Sequence, residues 1–385
     1  MDTDLPIFRL PVPTTPDSGL IQWGQLYGSA QGLAVGYALE THPNPVCIIT
    51  ESASAANRLK LELDFFSPQS EGLRFSDYET LPYDAFSPPQ DLLAERLSAL
   101  YKLAIGDQKV LIVNAQALLT RLPPPDFVCT RSIMLKIGDH LDITVLRKRL
   151  VNHGYLHVEQ VLDPGDFAVR GSLIDIYPTG ATHPVRIDLF DEEIENLRIF
   201  DPHTQLSTGE IQNIRVLPAR EFPFDSVAIR EFRERFRDHV PGDPNRSLVY
   251  RNISEAQLPA GIEYYLPLFF NSTASLLDYF PDNTLMIVVE DAMTSLDSGW
   301  TLIQERYEQL GEDIERPILS PTMAFWTPAE LRAGISRFSK LMLTSRKVEV
   351  TDEKHFNAGT AHPLSSVDTE QQDPISRWLE SETDS

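Results

Sequence analysis

The chain has 385 residues, of which 42% are hydrophobic and 23% charged, and its formal net charge at pH 7 is −23. This length exceeds one comfortable hydrophobic core, so two or three domains are expected. No apolar run reaches the length of a membrane span, the amino terminus lacks the pattern of a signal peptide, and two cysteines are too few for a disulfide framework, which together predict a cytoplasmic protein without a membrane partner.

Residues 20–130 alternate strand and helix signals, which favours an α/β domain with a parallel sheet over residues 1–130. Strands are predicted at Pro45–Thr50, Leu73–Phe75 and Val110–Val113. Helices are predicted at Ala55–Phe65 with Ser52 as its cap, from Pro88 to Leu103, and at Ala115–Leu122. The triple proline Pro123–Pro125 ends this part of the chain.

Residues 131–217 are predicted to form a β-rich domain that is entered through the helix Ile143–Asn152. Between Gly154 and Phe200, four or five short strands with alternating polarity are separated by turn signals. In Val185–Phe190, the period of two puts three aliphatic residues on one face and Arg186, Asp188 and Phe190 on the other. Arginine beside an aromatic ring on a solvent face is typical of a protein-binding hot spot, although a helix or neighbouring domain covering Phe190 fits the pattern equally well.

The α/β pattern resumes in residues 218–347. This part has predicted helices at Val227–His239 (capped by Asp225–Ser226), Ser298–Leu310 and Pro328–Arg337, and predicted strands at Leu285–Val289 and Leu341–Thr344. Residues 348–385 are interpreted as a polar linker and the start of a truncated next domain, with an amphipathic helix at Pro374–Leu379.

Two segments of the β-rich part, GDFAVRGSLIDIYP from Gly165 and VRIDLFDEEIENLRIFDPHTQ from Val185, resemble the UvrA-binding domain shared by the excision-repair protein UvrB and the transcription-repair coupling factors. Asp77–Leu103 resembles the coupling factors more closely, and Leu258–Ser295 resembles both families. The pattern runs over about fifty residues at fixed offsets, far more than a short motif. Over roughly residues 20–345, the chain is identified as the amino-terminal, UvrB-like part of a transcription-repair coupling factor.

The resemblance implies a degenerate helicase-like domain, of the RecA-like P-loop-NTPase type, interrupted by a UvrA-binding domain. Residues 1–130 would correspond to UvrB domain 1a, residues 131–217 to domain 2 and residues 218–347 to domain 1b. The implied function is that of a non-catalytic adaptor, which recruits UvrA to stalled RNA polymerase in transcription-coupled nucleotide excision repair. The resemblance also implies that other parts of the full-length protein bind RNA polymerase and DNA and carry an ATP-dependent translocase motor.

Residue by residue, the UvrA contacts of the family correspond to Arg170, Arg186 and Phe190. Arginine offers a planar fork for carboxylates, and a phenylalanine supplies a desolvated anchor. From sequence alone, Arg170 could instead form an internal salt bridge with Asp175 or Asp188.

No catalytic residue, cofactor or metal site is predicted. The loop Tyr27–Leu33, where a phosphate loop should lie, has no lysine, and Glu290-Asp291 reverses the order of a helicase Asp-Glu pair. The segment Asp77–Pro88 is too short for the DNA-clamping hairpin of UvrB, and its Tyr78, Tyr83 and Phe86 are interpreted as packed on their own sheet. The alternative function, an ATP-dependent UvrB-type helicase or DNA-damage loader, would require both missing elements.

Overall fold

The computed structural model describes residues 12–13, 20–349 and 355–358. Its strands form one seven-stranded, one six-stranded and one two-stranded sheet. The strands, in chain order, are β1 Leu20–Gly24, β2 Val46–Thr50, β3 Leu73–Phe75, β4 Val110–Asn114, β5 Ile133–Lys136, β6 Leu156–His157, β7 Asp166–Arg170, β8 Leu173–Ile176, β9 Val185–Phe190, β10 Glu193–Phe200, β11 Ser207–Ile211, β12 Asn213–Val216, β13 Leu285–Val289, β14 Ser339–Leu343 and β15 Phe356–Asn357.

Helices cover the sheets and connect their strands. The α-helices are α1 Ala30–Thr41, α2 Ala53–Phe66, α3 Gln90–Ala104, α4 Pro125–Thr130, α5 Ile143–Asn152, α6 Ser226–His239, α7 Leu248–Ser254, α8 Ala292–Leu310, α9 Pro321–Ala324 and α10 Pro328–Ser336. Short 3-10 helices lie at Pro68–Ser70, Ala115–Leu119, Pro244–Arg246, Ile262–Phe269 and Leu276–Tyr279.

The seven-stranded sheet has the order β15-β1-β14-β13-β2-β4-β3, and every pair in it is parallel. All five residues are buried in each of β2, β4 and β13, as expected for parallel strands covered by helices on both faces. The predicted α/β class, with a parallel sheet interrupted by a β-rich domain, is therefore confirmed.

Local signals located most of the elements. The Ser52 side chain accepts a hydrogen bond from the Ala55 N–H, and Asp225 caps α6 in the same way, so both predicted caps are confirmed. Neither β1 nor α1 was predicted. For α1, the reason is that the helix is built from small and apolar residues without a polar face. The predicted helix at Pro374–Leu379 lies outside the described residues.

The six-stranded sheet of the β-rich part has the order β11-β10-β9-β8-β7-β6. One face of this sheet packs against α5 and the two-stranded β5–β12 sheet, and the aliphatic side of β9 belongs to that core. The predicted division of β9 into an apolar and a polar face is thus confirmed. The domain limits 1–130, 131–217 and 218–347 remain predictions.

A buried ion pair joins α3 to Glu221, which follows β12 in the chain. Arg96 of α3 donates from Nε to Glu221 Oε1 at 2.7 Å, and both side chains are 1% exposed. The Arg96 guanidinium carbon lies 4.4 Å from the centroid of the Phe75 ring and 4.3 Å from that of Tyr78. The Tyr78 hydroxyl also donates to Glu221, at 2.6 Å.

The loop 77–88 is only partly packed. Tyr78 and Tyr83 are 4% and 2% exposed, which confirms their predicted packing. Phe86 is 71% exposed, so the prediction was wrong for this residue. The ring of Phe86 is not part of the hydrophobic core that holds both tyrosines.

Candidate partner-binding face

The outer face of the six-stranded sheet is the face directed away from α5 and the β5–β12 sheet, and it carries the three residues predicted to contact a partner. On β9, Val185, Ile187 and Leu189 are buried at 3%, 0% and 6% exposure. Phe190 projects from the opposite face and is 70% exposed. The described part of the chain therefore leaves this ring open to solvent, and no helix within that part covers Phe190.

Arg186 is held inside the domain. Its Nε and Nη2 donate to the two carboxylate oxygens of Asp175 at 2.7 and 2.9 Å, and its guanidinium carbon lies 4.9 Å from the Phe200 ring centroid. The Arg186 side chain is 17% exposed, and the hydrogen bonds to Asp175 raise the pKa of its guanidinium. Arg186 thus forms an internal salt bridge with Asp175, the aspartate that was also considered as a partner of Arg170.

Arg170 ends β7 and is separated from β9 by β8. Its side chain is 54% exposed, its Nη1 lies 4.0 Å from an Asp175 carboxylate oxygen, and its Nη2 donates to the Glu159 carbonyl. Asp175 therefore links Arg170 and Arg186 across the sheet. Arg170 keeps half of its side chain available to a partner.

Register explains why these residues meet. β8 and β9 pair antiparallel with Asp175 opposite Arg186 and Leu173 opposite Asp188. Asp188 is bound in turn by Arg198 of β10. Leu173, 36% exposed on the same face, was missed because its position opposite Asp188 follows from the register and not from its own segment.

Two hairpin turns bring Arg170 and Phe190 to the same end of the sheet. Arg170 pairs with Leu173 across Gly171, and Phe190 pairs with Glu193 across Asp191. Gly171 has φ +64° and Asp191 has φ +55°, a backbone region that glycine adopts without cost and aspartate tolerates better than most residues.

The loop between β1 and α1 corresponds to the predicted position of a phosphate loop. Two backbone amides just before Tyr27 are bound within the chain, because the Gln25 N–H donates to the Arg346 carbonyl at 3.0 Å and the Leu26 N–H to the Thr344 carbonyl at 3.1 Å. A Cβ placed on Gly24 would lie 2.7 Å from the Arg346 carbonyl oxygen, so this close approach requires glycine.

Glu290, at the end of β13, is also engaged internally. The Ser345 N–H and hydroxyl both donate to its Oε2 at 2.6 Å, and Arg346 Nε lies 2.6 Å from Oε1. Burial alone would raise the pKa of Glu290, but the Ser345 hydrogen bonds and the Arg346 charge outweigh it, and the pKa lies below its ordinary value. The carboxylate lines a cleft of about 540 Å³ at the carboxyl ends of β13 and β14.

Within the described residues, no group of three or more histidine, cysteine, aspartate or glutamate side chains has a metal-binding arrangement. No helix among the same residues has both the length and the apolar composition that a membrane span requires.

Comparison with known proteins connects this geometry to a family. Residues 133–222 match the family described as the UvrB interaction domain. The chain is 36% identical over 371 residues to the transcription-repair-coupling factor of Haemophilus influenzae, which covers 96% of the chain and 32% of that relative. It is 38% identical over 358 residues to the same factor of Escherichia coli, which covers 91% of the chain and 31% of that relative.

The chain thus spans about a third of the length of these two relatives. A more distant match is the transcription-repair-coupling factor of Bacillus subtilis, 28% identical over 279 residues, covering 69% of the chain and 24% of that relative. Residues 133–222 therefore belong to the UvrB interaction domain family, and over most of its length the chain is similar to transcription-repair-coupling factors.

Proposed function

We propose that this chain is a non-catalytic adaptor module that binds UvrA through the outer face of its six-stranded sheet. In the longer protein, this contact would recruit UvrA to stalled RNA polymerase during transcription-coupled nucleotide excision repair. The observation that carries the proposal is the 70% exposure of Phe190, on a strand whose other face is buried. Large aromatic side chains on a rigid strand are typical anchors of protein interfaces.

The three predicted contact residues take different roles in this proposal. Phe190 is the anchor that a UvrA pocket would desolvate, and Arg170 offers its exposed guanidinium to an acceptor beside that pocket. Arg186 acts as a positioning residue, because its fork is already committed to Asp175. Loss of one anchor typically costs about 2 kcal/mol, which corresponds to roughly thirty-fold in affinity.

Binding of purified UvrA, measured by calorimetry or pull-down, tests this proposal. Phe190→Ala should abolish or weaken binding by at least about thirty-fold, and Arg170→Ala should weaken it, while both melting temperatures stay close to that of the wild type. Phe86→Ala is a matched control, because Phe86 is 71% exposed but lies on the α/β part. Wild-type affinity of the Phe190→Ala variant would show that UvrA binds elsewhere.

The proposal that this chain lacks ATPase activity rests on the contacts of its degenerate nucleotide site. In phosphate-binding loops, backbone amides and a lysine face the phosphates, and an acidic residue holds Mg²⁺. Here the amides of Gln25 and Leu26 and the carboxylate of Glu290 are bound by residues 344–346 of the same chain.

Equilibrium binding of a fluorescent ATP analogue separates the adaptor from the alternative, a UvrB-type helicase or damage loader. We expect no saturable, Mg²⁺-dependent binding at micromolar concentrations. Binding that Glu290→Gln removes would instead support the enzyme. ATP-dependent translocation, RNA polymerase binding and DNA binding are proposed to belong to the remainder of the longer protein.

A further inference from the structure

A second surface, on the α/β part, combines basic and aromatic side chains in one cleft. The cleft has a volume of about 460 Å³ and lies between the end of α6, the segment 270–273 and Trp326. Among the described residues, none of the side chains that line it is acidic. Its lining residues include Arg121, Arg235, His239, Phe270, Ser272 and Trp326.

Arg121 is fixed in a flat orientation at one wall. Its guanidinium carbon lies 4.0 Å from the Trp326 ring centroid, its Nη1 donates to Thr273 Oγ1 at 3.0 Å, and its Nη2 donates to the Thr322 carbonyl at 2.8 Å. Within the described part of the chain, the Arg121 Nε–H has no hydrogen-bond acceptor. Burial lowers the pKa of this guanidinium, and the nearby charge of Glu330 acts against that effect.

Arg235 also lines the cleft, with His239 one helical turn further along α6. Arg235 donates to the Leu268 carbonyl at 2.9 Å and to Asn271, and Glu231 accepts from its Nη2 at 3.2 Å. Glu330 is the carboxylate that interacts with Arg121. Each arginine thus has one carboxylate nearby, but both of these carboxylates lie outside the lining of the cleft.

The composition of the cleft contrasts with that of the whole chain, which has 56 acidic and 33 basic residues. Rigidly held guanidinium groups match the planar geometry of carboxylates, and the rings of Phe270 and Trp326 supply an apolar surface beside them. The volume lies within the usual range of ligand pockets and exceeds what a single inorganic ion needs. The net charge of −23 opposes a ligand with many phosphates, such as a nucleic acid, more strongly than a short peptide with one or two carboxylates.

We propose that this cleft binds an acidic peptide segment of a partner protein, with a carboxylate between Arg121 and Arg235 and an apolar side chain against Phe270 and Trp326. The interaction is independent of the UvrA-binding face proposed above, because the two surfaces share no residue.

The test is titration of the full chain with the tripeptide Glu-Phe-Glu, acetylated at its amino terminus and amidated at its carboxyl terminus like every peptide used here, followed by NMR of the indole N–H groups, with Trp326 assigned through Trp326→Phe. We expect saturable shifts of the Trp326 signal, and binding weaker by about tenfold or more for the tripeptide Gln-Phe-Gln. Arg121→Gln and Arg235→Gln should weaken Glu-Phe-Glu binding by a similar factor.

Arg337→Gln is the matched control, since Arg337 also stacks on a ring, at 5.0 Å from the Phe338 centroid, and pairs with a carboxylate outside the cleft. If Arg121→Gln fails to fold, Ser272→Glu, which places a competing carboxylate at an exposed position of the lining, should weaken binding in its place. Equal binding of Glu-Phe-Glu and Gln-Phe-Gln, tighter binding of inorganic phosphate, or no shift at Trp326 would each overturn the proposal.

Discussion

Arg186 and Asp175 face each other across β8 and β9 and are joined by two hydrogen bonds of 2.7 and 2.9 Å. Their side chains are 17% and 5% exposed, so the pair belongs to the outer face of the sheet but is largely shielded from solvent. The same Asp175 carboxylate lies 4.0 Å from Arg170. Asp175 of the internal ion pair therefore also lies beside Arg170, which belongs to the proposed UvrA contact.

The first prediction concerns this ion pair. Arg186→Ala leaves Asp175 buried without its main partner, and we expect the free energy of unfolding to fall by about 3 kcal/mol. Urea denaturation measures the loss. The double variant Asp175→Ala/Arg186→Ala should recover part of it, because no unpaired carboxylate then remains. An unchanged urea midpoint together with lost UvrA binding would mean that Arg186 contacts UvrA directly.

The second prediction concerns the buried ion pair between Arg96 and Glu221. Glu221→Gln leaves the guanidinium of Arg96 almost fully buried without a counter-charge. Removal of one partner of such a pair typically costs about 3–5 kcal/mol. Asp297→Asn is the control, because it breaks a 2.6 Å pair with Arg332 whose side chains are 54% and 43% exposed, and such surface pairs contribute about 1 kcal/mol or less. Similar losses in both variants, measured by denaturant unfolding, would contradict the prediction.

The third prediction concerns acid. The pKa of Glu290 lies below its ordinary value of 4.5, so the unfolded state takes up this proton at a higher pH than the folded state does. The stability that Glu290 contributes is therefore fully present above pH 4.5 and is lost as the pH falls through the lower pKa of the folded state. Urea unfolding of the wild type and of Glu290→Gln should differ most at neutral pH and converge in acid. A constant difference at every pH would refute the assignment.

The fourth prediction concerns DNA. The net charge of −23 opposes contact with a phosphate backbone, so we expect duplex binding no tighter than the ordinary non-specific range of about 10⁻⁴ to 10⁻⁶ M at physiological salt. Fluorescence anisotropy with a labelled duplex measures this affinity. Nanomolar binding with a steep dependence on salt would require a concentrated basic surface and would contradict the prediction.

Local sequence determined much of the fold. The caps Ser52 and Asp225 predicted where α2 and α6 begin, and continuous aliphatic runs predicted β2, β4 and β13. These signals are readable because a cap or a buried strand is defined by residues that are neighbours in the chain. The alternation in β9 predicted which side of the strand Phe190 occupies for the same reason.

Tertiary structure decided how the candidate residues are used. The family resemblance implied a partner contact for both Arg186 and Arg170, but the register of β8 against β9 places Asp175 directly opposite Arg186, while Arg170 contacts the same carboxylate at 4.0 Å and stays 54% exposed. The cleft at Arg121 depends on Thr273 and Trp326, which lie 152 and 205 positions further along the chain. Periodicity cannot predict such contacts, because pairing register and long-range packing depend on the relative placement of whole elements.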